Sequence, residues 1–271
     1  MKTVFCCLSL FALLRVDVTA IAESVPARPN IVVILADDLG YGDVRCNNPE
    51  RGRIPTPRID RLASQGMRFT DGHSSSGVCS PSRYALLTGR YHWRTGKTGI
   101  VDTYGPPMIS ADRLTVPALL KQNGYRTAAV GKWHLGWNWP KTDGKMDFTK
   151  EIKGGPTTRG FDSYFGTDVP NWPPYCFIEN NRTLGIPTEP LPGRLVGNNL
   201  ASKPGPALPG WKLEEILPKL GDRACAIIAD AAKRPEPFFL YMPLTAPHTP
   251  LAVTDEWKGR SGMTPYSDFV M

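Results

Sequence analysis

The sequence predicts an α/β fold built on a mainly parallel sheet with helices on both faces. Three apolar runs, residues 31–36, 126–130 and 237–242, have the length and continuous hydrophobic character of strands buried on both faces. Helical patterns separate these runs, and such alternation is typical of a parallel sheet. Polar residues follow each run. Because ligands bind beyond the carboxyl ends of such strands, we expect one site at that edge.

End signals mark the elements in the first half of the chain. Gly66 closes a helical pattern over residues 57–65, and a short strand is expected over residues 67–70. The next helix begins at Cys79 and ends before Gly89, a natural stop for a helix. These signals predict two helices between the first strand and the middle of the chain.

The second half of the chain is less regular. Thr115 is expected to cap a helix that runs to Gln122 and precedes the second buried strand. Residues 137–210 are rich in Trp, Pro, Gly and Asn, which predicts a loop-rich functional insert with minor strands. A helix is expected over residues 222–233, and the last buried strand leads into a loop over residues 243–250.

Composition narrows the classes of function. The chain has 271 residues, 41% of them hydrophobic, which allows one large globular domain or two small ones. Its formal charge is +7, but Lys and Arg are scattered rather than clustered. This pattern argues against a nucleic-acid partner and suits a basic surface around a site for anionic substrates.

Residues 1–22 have the features of a secretory signal peptide. Lys2 forms a basic start, residues 4–14 form an apolar core too short to span a bilayer, and Ala20 and Ala22 frame a small-x-small cleavage site. A membrane anchor is the alternative, disfavoured by charges after the apolar core. We therefore expect a secreted or periplasmic protein, or a lumenal one in a eukaryote, without stable membrane insertion.

Cys79 occupies a position that suits an anion. A thiol at a helix N-terminus meets free backbone N–H groups and the positive end of the helix dipole. Pro81 fits the first helical turn, and Arg83 adds a cation one turn later. Taken alone, Cys79 would be better interpreted as a small buried residue.

Polar residues at the three predicted strand ends suggest metal and anion chemistry. Asp37 and Asp38 follow the first strand, and paired carboxylates suit a hard divalent cation, although a solvated turn is the alternative. Lys132 and His134 alternate in an extended segment and are expected to share one face. His248 follows the third strand, where a surface histidine is the alternative.

Four sequence blocks together resemble the type I sulfatases, which are arylsulfatase-like, formylglycine-dependent members of the alkaline phosphatase superfamily. They are C-x-P-S-R-x-x-L-L-T-G-R at 79–90, the D-D-L-G-Y-G-D block that closes residues 30–43, G-K-W-H-L-G at 131–136 and A-P-H-T-P at 246–250. The resemblance covers roughly residues 28 to 271. It implies an alkaline-phosphatase-like fold and a sulfuric ester hydrolase that acts on aryl or carbohydrate sulfates.

The resemblance also implies the roles of the site residues. Cys79 would be oxidised by a formylglycine-generating enzyme to Cα-formylglycine, whose aldehyde hydrate is the nucleophile and a calcium ligand. Asp37 and Asp38 would bind calcium. Arg83 would stabilise the hydrate, and Lys132 would bind a sulfate oxygen. His134 would orient or deprotonate the hydrate, and His248 would contact the sulfate or leaving-group oxygen.

Family members continue beyond the matched region with an S-D-N-G metal block, a second sulfate-binding lysine and a smaller C-terminal domain. Nothing in this sequence matches those elements. We therefore expect residues 23–271 to be an incomplete N-terminal catalytic domain, inactive by itself and weak in calcium binding.

Two alternatives stay open at this point. Some relatives use the same formylglycine motif on phosphorus, so a phosphonate or phosphodiester hydrolase is possible. A non-catalytic remnant that binds sulfated glycans through its basic surface is the other alternative. Within residues 137–210, we expect Trp137, Trp139 and Trp172 to select the alcohol part of the substrate, a sulfated small molecule or glycan.

Overall fold

The computed structural model describes residues 28–196 and 199–271. The signal peptide predicted over residues 1–22 lies outside the described residues. Within them, no helix combines the length and the apolar character that crossing a bilayer requires.

The described residues contain five α-helices and twelve strands. The helices are α1 (Pro57–Gln65), α2 (Cys79–Thr88), α3 (Val116–Gln122), α4 (Ile216–Ala231) and α5 (Pro265–Val270). The strands are β1 (Ile31–Asp37), β2 (Arg126–Lys132), β3 (Lys141–Thr142), β4 (Lys145–Met146), β5 (Ser163–Thr167), β6 (Ile178–Glu179), β7 (Arg182–Thr183), β8 (Glu189–Leu191), β9 (Arg194–Val196), β10 (Asn199–Ser202), β11 (Gly205–Ala207) and β12 (Phe238–Pro247).

Six strands form the main sheet in the order β1-β12-β2-β5-β6-β7. The first four of these strands are parallel neighbours, whereas β6 and β7 extend the sheet as antiparallel strands. Helices α1, α2 and α3 lie between β1 and β2, whereas the connection from β2 to its parallel neighbour β5 contains the β3–β4 hairpin and one 3-10 turn. Both connections are long enough for parallel pairing. The prediction of a mainly parallel α/β sheet is therefore confirmed.

Alternate side chains of the central strands belong to two separate hydrophobic clusters. Ala129 and Tyr241 lie in the cluster that receives Tyr84 from α2 and Leu120 from α3. Their neighbours Val130 and Leu240 lie in the other cluster, which includes Leu220 and Ala224 of α4. Because successive residues of a strand face opposite sides of a sheet, α2 and α3 cover one face and α4 covers the other.

One predicted strand is wrong. Residues 67–70 form no strand, and Met67 and Phe69 are 80% and 74% exposed. The segment has apolar residues at alternate positions, but within the described part of the chain no strand pairs with it. Residues 67–70 instead form an exposed segment that follows α1.

Two predicted boundaries differ from the structure, and a proline lies in each extended part. The loop expected over residues 243–250 is strand as far as Pro247, and the register with β1 shifts between Leu35 and Asp37. Proline is tolerated at such irregularities. Helix α4 begins at Ile216, ahead of the predicted start, because Pro218 lies in its first turn, where no intrahelical N–H bond is lost.

The segment predicted as a loop-rich insert also supplies part of the main sheet. Strand β5 pairs in parallel with β2 within this segment, and Ala129 lies opposite Tyr164. Trp137 and Trp139 are buried in the core at 1% and 8% exposure. These two tryptophans thus pack inside the domain, and of the three only Trp172 is half-buried.

Candidate active site

Three neighbouring parallel strands bring polar side chains to one edge of the sheet. Asp37 ends β1, Lys132 ends β2, and His248 follows directly after β12, which lies between them. Cys79 is the first residue of α2, above the same edge. The structure thus brings together residues that are more than 160 positions apart in the sequence, as the strand pattern predicts.

Lys132 links the first carboxylate to the cysteine. Its Nζ donates to Asp37 Oδ2 at 2.7 Å and to Cys79 Sγ at 3.3 Å. None of the Lys132 side chain is exposed. Neighbouring Gly131 permits this packing, because a Cβ there would lie 1.9 Å from the carbonyl oxygen of Pro243 on β12.

Arg83 completes a buried charge cluster around Asp37. Its Nη2 lies 3.3 Å from Asp37 Oδ1, and its Nη1 donates to the carbonyl oxygen of Lys132 at 2.8 Å. Burial raises the pKa of Asp37. The charges of Lys132 and Arg83 lower it by more than burial raises it, so the net pKa lies below its usual range. Asp37 is therefore a buried carboxylate with two cationic partners.

The thiol of Cys79 has a lowered pKa. Burial raises it, but the contacts with His248 and Lys132 outweigh burial. A thiolate at this position also faces the N-terminus of α2, whose free N–H groups favour an anion. The cluster therefore favours negative charge at residue 79.

His248 carries its proton on a defined nitrogen. Its Nδ1 lies 2.5 Å from the carbonyl oxygen of Thr249, which can only accept, so Nδ1 donates. Its Nε2 lies 3.4 Å from Asp38 Oδ2. Burial lowers the pKa of His248, but the contact with Cys79 raises it more, so the net pKa is raised. His248 is suited to give up a proton in this cluster.

His134 has the opposite character. Its Nε2 lies 2.9 Å from the carbonyl oxygen of Val101, so Nε2 carries the proton. Nδ1 is buried and has no hydrogen-bond partner among the described residues. Burial lowers the pKa of His134 to about 3, and the charge of Lys132 adds to this effect. His134 is therefore a neutral imidazole with a free basic nitrogen.

The expected alternation of Lys132 and His134 along an extended segment is not observed. Strand β2 ends at Lys132, and His134 has a φ of 49°, in the left-handed region. The alternation of side chains along a strand therefore ends before His134. Its ring instead packs edge-on against Trp172, with centroids 5.3 Å apart.

Two of the predicted metal ligands, Asp37 and Cys79, lie close together, and the third, Asp38, lies farther out. Ligand atoms of Asp37, Cys79 and His248 lie within 4.8 Å of one another. The side chain of Asp38 is 53% exposed and reaches this group through His248. The two carboxylates suit a hard cation, and conversion of Cys79 would replace sulfur with oxygen. These residues therefore fit part of the oxygen shell that calcium requires.

Sequence reasoning missed the groups that hold His134. Val101 contributes a backbone carbonyl, which no side-chain motif could reveal. Lys203 lies over the ring of Trp172, 3.5 Å from its centroid. A lone lysine within a loop-rich segment gives no sequence signal, although Trp172 itself was identified as an aromatic candidate.

The sequence matches the family model described as Sulfatase over residues 29–268, nearly the whole described chain. The chain belongs to the sulfatase family. It is 33% identical to an N-acetylgalactosamine-6-O-sulfatase of Bacteroides thetaiotaomicron and 36% identical to arylsulfatase G of Rattus norvegicus. These alignments cover 90% and 88% of this chain, but 53% and 45% of the two relatives.

The structural comparison gives the same assignment. A solved 6S-sulfatase from Bacteroides thetaiotaomicron, described in the metabolism of multiple glycosaminoglycans, superposes with a TM-score of 0.77 at 31% identity. The match covers 90% of this chain and 56% of that one. The alkaline-phosphatase-like fold is thus confirmed, and the chain spans about half the length of the relatives it matches.

Proposed function

We propose that this chain carries the nucleophile and much of the sulfate-binding cluster of an exported sulfatase that hydrolyses sulfate monoesters. The observation that supports this proposal most is the buried Lys132, whose Nζ contacts both Asp37 and Cys79. A cation shared by a carboxylate and a nucleophile is suited to an anionic substrate. Membership of the sulfatase family supports the same chemistry.

Residue 79 would act as formylglycine, which supplies, when hydrated, a hydroxyl that can attack sulfur. The free Nδ1 of His134 is a buried acceptor without a partner among the described residues, and it would accept a proton from the hydrate. Lys132 and Arg83 would hold the negative charge of the transferring group. His248 would donate a proton to the leaving oxygen, and the carboxylate of Asp38, whose Oδ2 lies 3.4 Å from His248 Nε2, would favour the protonated ring.

Calcium would be held by Asp37, Asp38 and the oxygen at residue 79, and it would supply positive charge beside the transferring group. Three ligands are fewer than the six to eight oxygens that calcium takes. We therefore propose that this chain by itself binds calcium weakly.

The proposed substrate is a sulfated glycan. Support comes from relatives described as acting on N-acetylgalactosamine sulfate or taking part in glycosaminoglycan metabolism. The formal charge of +7 suits a polyanionic partner. The proposed export through residues 1–22 would place the protein where such glycans occur, and a formylglycine-generating enzyme is its proposed processing partner.

The test is to produce the chain together with a formylglycine-generating enzyme and to measure its mass and turnover. The peptide with residue 79 should lose about 18 Da, because an aldehyde replaces the thiol. Because the chain by itself is expected to be inactive, turnover is measured in a version that also carries the later S-D-N-G metal block, which this sequence lacks. In that version, turnover of an aryl sulfate and a sulfated disaccharide should be lost in Cys79→Ala and kept in the control Cys225→Ala, since Cys225 is exposed on α4. An unmodified residue 79, equal turnover in Cys79→Ala, or faster turnover of an aryl phosphodiester would contradict the proposal.

A further inference from the structure

The ring of His134 is held from two sides by different loops. The carbonyl oxygen of Val101 accepts its Nε2 proton at 2.9 Å, and the edge of Trp172 packs against it at an interplanar angle of 76°. Val101 lies in the long connection between α2 and α3, whereas Trp172 lies in the loop after β5. The direction of the free Nδ1 therefore depends on how these two loops sit relative to each other.

One ammonium contacts both loops. Lys203 Nζ lies 3.5 Å from the centroid of the Trp172 ring, and it also lies 2.7 Å from Asp102 Oδ1 and 3.1 Å from Thr103 Oγ1. Asp102 and Thr103 directly follow Val101. Among the described residues, no other cation lies within ion-pair distance of Asp102.

Lys203 is itself anchored by its backbone. It lies between β10 and β11, and its N–H donates to the carbonyl oxygen of Asn171 at 3.0 Å, beside Trp172. The carbonyl oxygens of Asn171 and Lys203 both lie within hydrogen-bond distance of the Tyr175 hydroxyl, which shares its one proton between them. The backbone of Lys203 is therefore held in place, which limits the positions that its ammonium can take over the Trp172 ring.

We propose that Lys203 is a positioning residue for His134. Its ammonium joins the loop that carries Val101 to the loop that carries Trp172, through an ion pair on one side and a cation–π contact on the other. This link keeps the His134 ring in the orientation that the Val101 carbonyl and the Trp172 ring define, with Nε2 as the donor and Nδ1 free. Only the kinetic consequence of the inference rests on the proposed function.

Lys203→Met removes the charge and keeps most of the side-chain length, and Lys203→Arg keeps the cation. Lys212→Met is the matched control, since Lys212 is 69% exposed and pairs only with Glu215 among the described residues. The primary readout is a ¹H–¹³C spectrum of the full chain labelled on histidine. The chain has four histidines, so the spectrum contains four sets of ring signals, which single substitutions assign.

We expect Lys203→Met to shift the His134 ring signals, because the ring current of Trp172 depends on their mutual geometry. The signals of His73 and His92 should stay in place, and Lys203→Arg should restore the wild-type position of His134. An unchanged His134 signal in Lys203→Met would overturn the inference. So would equal shifts in the methionine and arginine variants, because the cation would then be irrelevant.

Kinetics provide the second readout. In an active, formylglycine-loaded preparation, Lys203→Met should lower kcat about tenfold while KM changes little, because misplacing a reacting group mainly reduces the rate of the bound complex. A change confined to KM would mean that Lys203 contacts substrate instead, which contradicts positioning. If the version that also carries the later S-D-N-G metal block shows no turnover, the proposed function fails, and the histidine spectra of the chain still decide this inference.

Discussion

The ammonium of Lys132 lies 2.7 Å from Oδ2 of Asp37, and the two side chains are only 0% and 4% exposed. Each of these charges has lost its water and depends on the other for compensation. Removing one partner of a buried pair typically costs about 3–5 kcal/mol, because the remaining charge stays buried without its counterion. Arg83 reduces this cost for Asp37, since its guanidinium lies 3.3 Å away.

We predict that Lys132→Met lowers the free energy of unfolding by about 3 kcal/mol. Asp37→Asn should also destabilise the protein, and the double variant should lose about 1–3 kcal/mol less than the sum of the two. Denaturant titration measures all three, with Lys258→Met on the exposed surface as the control. Strict additivity of the two substitutions would show that the pair does not contribute as a unit.

The second prediction concerns the pH at which Cys79 reacts. Burial raises the pKa of its thiol, but His248 and Lys132 lower it more, so Cys79 should be alkylated at a lower pH than an ordinary thiol. His248→Ala should move the midpoint of the pH profile upward, and His73→Ala should not, since His73 is 81% exposed. Iodoacetamide labelling with a chelator present, followed by peptide mass analysis, measures the profile. An unchanged midpoint in His248→Ala would contradict the assignment.

The sequence predicted the sheet and its polar edge because those depend on strong local signals. Continuous apolar runs marked β1, β2 and β12, and Asp37, Lys132 and His248 follow directly from the ends of these strands. The Thr115 cap is also observed, since its hydroxyl accepts the N–H of Ala118. Parallel neighbours then bring the three strand ends together without further information.

The remaining features depend on tertiary contacts that leave no periodic signal. The orientation of His134 follows from a positive φ and from the carbonyl of Val101, and neither is visible in side-chain identity. Strand β5 was hidden because its run is short and lies in a segment rich in Gly and Pro. Residues 67–70 show the converse, since an alternating pattern without a pairing partner does not make a strand.

The third prediction concerns a contact between α5 and the turn after the paired aspartates. The hydroxyl of Tyr266 donates to Asp43 Oδ2 at 2.7 Å, which ties the turn that follows Asp38 to the last helix. Loss of one hydrogen bond to a carboxylate typically costs about 1.5 kcal/mol. If the turn must be ordered for Asp38 to bind a cation, Tyr266→Phe should weaken binding about tenfold.

Terbium, a luminescent hard cation that substitutes for calcium, provides the measurement. Tyr41→Phe is the control, because Tyr41 lies in the same turn and is 58% exposed. Equal affinities in Tyr266→Phe and the wild-type chain would show that the contact with α5 does not order the metal-binding turn.

The last prediction concerns the stability contributed by Asp168. Its side-chain carboxyl group is buried, and its backbone carbonyl oxygen accepts the N–H of His134. Burial raises the pKa of Asp168 from 3.8 to about 6, despite the opposing effect of Trp137. The folded protein therefore keeps a proton on Asp168 between about pH 4 and pH 6, whereas the unfolded chain releases it. Stability must then fall as the pH rises through this window.

The size of this effect follows from the difference between the two pKa values, which corresponds to about 3 kcal/mol at most. We predict that Asp168→Asn removes this fall, because the amide has no proton to lose, so the variant gains stability relative to wild type as the pH rises to 6. Urea titrations at pH 4, 5, 6 and 7 measure the difference, with Asp71→Asn as the exposed control. If the difference in unfolding free energy between wild type and Asp168→Asn stays constant across this range, Asp168 is already ionised in the folded protein.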